Sequence, residues 1–186
     1  DAQESRGLGD VYKRQILTLP GVPFIYYGDE IGLRHQLLPT KEGGYVRTGA
    51  RTPMQWDSGD NLGFSTAAPA DLYLPVDTSA DAPTVAAQQA QPDSLWHTVA
   101  RVLECKRELP ALAADSAFTV LRAEPNQRLF VFKRENAAQD LIVAVNPAHA
   151  SAEYDLAQAR PVRFSIGSAR VAGTTLQLGP QSFAIL

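Results

Sequence analysis

Asp29 and Glu30 are adjacent carboxylates standing at the end of an apolar run, Val22-Pro23-Phe24-Ile25-Tyr26-Tyr27-Gly28. Carboxylates so placed are the groups from which enzymes build general acids, general bases and charge stabilisers. The run itself reads as a strand buried on both faces, because its apolar residues are nearly unbroken. Pro20 and Pro23 fit at the start of such a strand, where a missing N–H is tolerated. Gly28 then frees the backbone, so the carboxylates fall at the strand's C-terminal end, the end at which parallel barrels carry their working groups. The alternative is that both acids simply tie down a loop.

A second cluster follows twenty residues on: Ala50-Arg51-Thr52-Pro53-Met54-Gln55-Trp56-Asp57, then Asn61-Leu62-Gly63-Phe64-Ser65. Further along come Leu72-Tyr73-Leu74-Pro75-Val76, Asp93-Ser94-Leu95 and Lys106-Arg107-Glu108-Leu109-Pro110-Ala111-Leu112. Through these motifs the chain resembles the glycoside hydrolases of the α-amylase superfamily, in the branch of oligo-1,6-glucosidases, α-glucosidases and related glucosyltransferases. The resemblance covers residues 16–112 by motif and the remainder by strand pattern. It implies the C-terminal piece of a TIM (β/α)8 barrel, its last strand and helix, followed by an antiparallel β-sandwich, an α/β plus all-β chain.

The same resemblance implies what the chain lacks. The nucleophilic Asp, the acid/base Glu and the stabilising Asp of that superfamily follow barrel strands four, five and seven, all upstream of anything present. No catalytic residue is therefore assigned, and this fragment alone is expected to be inactive. Geometry agrees, since cleaving a glycosidic bond needs two carboxyl groups about 5–10 Å apart across the bond. Successive side chains on an extended backbone point to opposite faces. Asp29 and Glu30 are poorly arranged to embrace one sugar, although either can lie near the pocket.

Arg51 is the candidate substrate-binding residue. In the exo-acting members resembled, the arginine opening this loop pairs with a barrel carboxylate and helps close the site over the non-reducing-end glucose. Its rigid fork of donors can bridge a carboxylate and sugar hydroxyls together; the bland alternative is a surface salt bridge. Trp56 and Tyr45 have faces that could stack on a pyranose, but Pro53 and Met54 suggest that Trp56 packs its loop against the scaffold. Gly43-Gly44 makes a turn, and no P-loop or dinucleotide fingerprint occurs.

The elements that position these groups divide the chain in three. Residues 1–15 do not match the barrel helix expected there, Gly7 and Gly9 disfavour a helix, and the segment is set aside as an assembly scar. Residues 16–111 form the C-terminal end of the catalytic barrel, with strand 22–27, a long loop over 33–92 that reads as functional or lid-like, and a helix from the N-cap Asp93 to about Leu109. Leu95, Val99, Val102, Leu103 and Leu109 define that helix's apolar face, and Arg101, Glu104, Lys106 and Glu108 its wet one. Residues 112–186 carry seven short strand patterns: Phe118–Arg122, Arg128–Lys133, Leu141–Val145, Val162–Ile166, Ala169–Val171, Thr174–Leu178 and Ser182–Leu186. Turn residues such as Pro125-Asn126, Asn146-Pro147 and Gly179-Pro180 separate them.

Composition narrows the function classes. The 186 residues, 45% hydrophobic and 20% charged, are those of a globular chain. A net charge of −3 without a basic block gives no electrostatic case for nucleic acid or an anionic membrane; a neutral α-glucan or oligosaccharide suits it better. Cys105 is the only cysteine, so no intrachain disulfide forms, and a cytoplasmic location is favoured. His35, His97 and His149 lack metal-ligand spacing, and neither metal nor cofactor is expected. No run long enough to span a bilayer and no signal-peptide layout is found. The resulting expectation is the C-terminal fragment of a retaining α-glucosidase acting on malto- or isomalto-oligosaccharides, whose partner is the missing N-terminal part of the same enzyme. A glucosyltransferase of the same superfamily and a free-standing carbohydrate-binding β-sandwich are the alternatives, and segment 16–57, useless to a binding module, argues against the last.

Overall fold

The computed structural model describes residues 15–38, 46–125 and 127–186. The expectations for residues 1–14, for Gly43, Gly44 and Tyr45, and for the turn residue Asn126 lie outside the described residues. The chain forms two compact units: Phe24–Thr98 is one, and the segment up to Pro23 with Val99–Leu186 is the other.

The second of these is built on strands. A five-stranded sheet has the order β1-β2-β3-β8-β5, with β1 Ala117–Arg122, β2 Phe130–Glu135, β3 Asp140–Asn146, β5 Phe164–Ile166 and β8 Ser182–Ile185. A three-stranded sheet has the order β4-β7-β6, with β4 Ala152–Asp155, β6 Ala169–Ala172 and β7 Thr175–Leu178. Every pairing is antiparallel. Val131, Ile142, Ala144 and Ala184 of the large sheet share an apolar layer with Leu176 and Leu178 of the small one. The opposite face of the large sheet, Phe132, Leu141, Val143, Val145, Phe183 and Ile185, packs with Cys105, Ala111 and Leu112. Alternate side chains of a strand point to opposite faces, so a sheet covered on both needs continuous apolar strands. Leu141–Val145 is buried at every position for that reason.

Of the eight strands among the described residues, the sequence patterns anticipate seven and miss β4. Ala-Glu-Tyr-Asp is short and half charged; it is an edge strand whose Ala152 and Tyr154 face the core while Glu153 and Asp155 stay exposed. Charged edges of this kind discourage pairing with other chains.

Besides the helical turn at 15–18, the described residues hold two α-helices, α1 (Val85–Ala90) and α2 (Leu95–Glu108). The sequence reading had no helix at α1, whose cap is the Thr84 hydroxyl accepting from the Ala87 N–H at 3.2 Å. At α2 the cap shifts by one from the expected Asp93: the Ser94 hydroxyl accepts from His97 N–H at 3.4 Å and its carbonyl from Thr98 N–H at 3.0 Å. Val99, Val102 and Cys105 form the buried face. Leu103, expected there, is 40% exposed, because it lies about 100° around the helix from Val102.

The expected strand at 22–27 is absent. Residues 22–26 pair with no strand, and Val22, Phe24, Ile25, Tyr26 and Tyr27 are 74, 90, 41, 53 and 40% exposed. An apolar run of this kind is stable as a strand only when neighbouring strands satisfy its backbone and cover its faces, and no described strand does so.

Candidate functional site

The acidic pair sits on a single 3-10 turn, Asp29–Ile31, rather than at a strand end. Gly28 (φ 85°) and Gly32 (φ 70°) flank it in the left-handed conformation that glycine adopts without steric cost. At Gly28 a side chain would also collide with Leu33, whose Cβ lies 2.6 Å from where a Cβ would stand. Asp29 secures the turn: its Oδ2 accepts from the Tyr26 N–H at 3.1 Å, and its own N–H donates to the Tyr26 carbonyl at 3.0 Å. Glu30 is half-buried, with Oε2 enclosed and without a hydrogen-bond partner.

Tyr26 and Tyr27 lie against each other, ring centroids 4.7 Å apart and planes tilted by 40°. The Tyr27 hydroxyl donates to the Thr52 carbonyl at 3.0 Å, which joins the tyrosine pair to the loop carrying Arg51. Partial burial first, and Tyr26 second, raise the Tyr27 phenol above its usual range, while the Arg51 charge opposes the rise. Arg51 is thus near enough to be felt by the phenol. Its side chain is exposed, and no hydrogen bond or ion pair among the described residues engages the guanidinium.

The position of Arg51 is set by tight backbone packing. The 3-10 turn Val46–Ala50 precedes it, with the Arg51 N–H donating to the Thr48 carbonyl at 3.0 Å. Gln36 N–H donates to Gly49 O at 3.0 Å, and a Cβ at Gly49 would fall 1.7 Å from the Gln36 carbonyl oxygen. Only glycine permits that approach. Beyond Arg51 the chain is buried from Thr52 to Gln55; Gln55 donates to the Pro83 carbonyl, and the carbonyls of Gln55 and Trp56 accept from the first N–H groups of α1 at 3.0 and 2.9 Å.

Trp56 itself is 49% exposed, contrary to the expectation that it packs inward. It opens a loop of constrained backbone, in which its N–H donates to Leu62 O at 2.8 Å and Asn61 and Leu62 take φ of 48° and 56°. Arg34 is spent structurally, on Asp81 at 2.6 and 2.8 Å and on Ser79 at 3.1 Å. No group of three His, Cys, Asp or Glu side chains among the described residues could hold a metal ion, and no described helix is long and apolar enough to cross a membrane.

Tyr26, Tyr27 and Asp29 thus stand on one turn, joined to the Arg51 loop through the Tyr27–Thr52 hydrogen bond. The model of the α-amylase catalytic domain matches residues 2–115, and the chain belongs to that family. It is 33% identical over 141 residues to the trehalose synthase/amylase TreS of Mycobacterium tuberculosis H37Rv, covering 74% of this chain and 23% of that protein. To the oligo-1,6-glucosidase of Heyndrickxia coagulans it is 27% identical over 166 residues, covering 74% of this chain and 29% of that protein. Among solved structures, the trehalulose synthase of Pseudomonas mesoacidophila MX-45 matches with a TM-score of 0.82 at 21% identity, over 97% of this chain and 38% of that one. The chain spans about a quarter of the length of these two curated relatives. Proteins named trehalose synthase and proteins named oligo-1,6-glucosidase both occur among its relatives.

Proposed function

We propose that this chain is the C-terminal portion of a retaining α-glucoside hydrolase acting on malto- or isomalto-oligosaccharides, located in the cytoplasm. The run Val22–Tyr27 would be the last strand of its barrel, and the sheets beyond Ala117 its C-terminal domain. The exposure of that run carries the reading: five large apolar side chains precede the acidic turn with no strand beside them. Its natural partner is the preceding part of the same enzyme, which would supply the flanking strands and the three catalytic carboxyls.

Arg51 would then contact the substrate. A guanidinium left unpaired here is free to meet a carboxylate from the preceding barrel and the hydroxyls of the terminal glucose, holding the sugar while carboxyls on opposite sides of the bond form and hydrolyse a covalent glucosyl-enzyme. Transfer of the glucosyl unit to a second sugar instead of water is the second reading, favoured by relatives named trehalose synthase.

The purified 186-residue chain is expected to release no glucose from maltose or isomaltose; release would overturn the fragment reading. In the full-length enzyme, Arg51→Ala should lower kcat/KM for short α-glucosides at least about tenfold, a loss of roughly 1.4 kcal/mol in transition-state binding. Its melting temperature should stay within a few degrees, as for an exposed substitution. An unchanged kcat/KM would remove Arg51 from the site, and product analysis by chromatography separates hydrolysis from transfer.

A further inference from the structure

Arg134, on β2, is fully buried, and no carboxylate among the described residues forms an ion pair with it. Its donors go to main-chain carbonyls: Nη1 to Thr18 at 2.7 Å, and Nη2 to Ala113 at 2.5 Å and Ser116 at 3.2 Å, while Nε has no acceptor. Thr18 belongs to the helical turn at 15–18, 116 residues away in sequence; Ala113 and Ser116 belong to the connector between α2 and β1. Gly21 N–H adds a bond to Ala114 O at 3.0 Å, and Lys106 Nζ reaches the Leu112 carbonyl at 2.8 Å. Burial first, and the Arg134 charge second, hold the Lys106 ammonium below its usual range.

Taking an unpaired guanidinium out of water costs several kcal/mol, and an apolar residue of similar volume fills such a place at lower cost. Methionine or leucine there would take the guanidinium donor away from three carbonyls of two separate segments, of which Ala113 O would keep the Ser116 N–H at 3.2 Å. What the arginine adds is geometry, because a planar fork with fixed donor directions admits one arrangement of those carbonyls. The segment so fixed runs in sequence directly into Tyr26–Glu30.

We propose that Arg134 is a positioning residue: from the C-terminal strands it fixes the 15–21 segment, which precedes Tyr26–Glu30 in sequence, against the 113–116 connector. Its effect on catalysis rests on the function proposed above; its effect on the segment does not.

Hydrogen exchange of the 186-residue chain tests the clamp. In Arg134→Met the amides of Leu19 and Gly21 should exchange about tenfold faster, the scale of one lost hydrogen bond to a charged donor, while those of β3 and β8 keep their rates. Arg134→Lys should retain part of the protection, and serves as the deciding variant if the methionine form does not fold. Unchanged exchange at 15–21, or acceleration spread equally over β3 and β8, would overturn the proposal. In the full-length enzyme, Arg134→Met should lower kcat/KM roughly tenfold to a hundredfold at temperatures where it stays folded, with partial recovery by Arg134→Lys. Local acceleration with full activity would overturn the catalytic half. An inactive wild-type enzyme would overturn the functional reading and leave exchange to decide the clamp.

Discussion

Arg51 and Cys105 illustrate opposite uses of a reactive side chain. Arg51 is exposed on a loop whose approach to Gln36 only Gly49 allows, and under the proposed function its charge would meet the substrate. Cys105 is 7% exposed on the buried face of α2, and burial first, with Glu108 second, pushes its thiol up from 9.0 to about 11. The thiolate is the nucleophile, so native Cys105 should resist iodoacetamide at pH 8 and react once the chain is unfolded; fast native labelling would contradict its burial. Because the folded state holds the proton more tightly, this group's contribution to stability is complete below about pH 9 and is lost as pH rises toward 11. Urea midpoints measured across that interval should fall.

At the scale of elements, the large sheet works because both its faces are covered. Phe132 sits at the centre of one face, fully buried, with the rings of Phe130 and Phe118 at 5.1 and 5.3 Å. Removing it leaves a cavity that the neighbouring strands cannot close, so Phe132→Ala should cost about 3–5 kcal/mol in denaturant unfolding. A cost below about 1 kcal/mol would mean that the face is loosely packed. Much of this architecture was legible beforehand. Seven strands announce themselves by β-branched and aromatic runs between turn residues, whereas β4 carries two charges in four residues and α1 is a six-residue helix rich in Ala and Gln. Edge strands and short helices form because neighbours accept their backbone bonds, and that signal is not local.

For the whole molecule, the dominant feature is what Phe24–Tyr27 leaves uncovered. Exposed contiguous apolar surface drives association, so the isolated chain should self-associate with rising concentration, and Phe24→Lys should shift it toward monomer in sedimentation or light scattering. Equal association by both forms would place the adhesive surface elsewhere. The same run, ahead of the acidic turn, is why the functional reading looks to a preceding barrel.

The sequence by itself determined the family, through the motifs at 20–32 and 51–57, and the positions of most strands along the chain, because those signals reside in residues close together in sequence. Only the tertiary structure decided that Trp56 faces outward, that the apolar run at 22–27 has no strand beside it, and that Arg134 reaches Thr18. Burial and pairing depend on which distant segments arrive at a given side chain, and no local pattern encodes a neighbour 116 residues away.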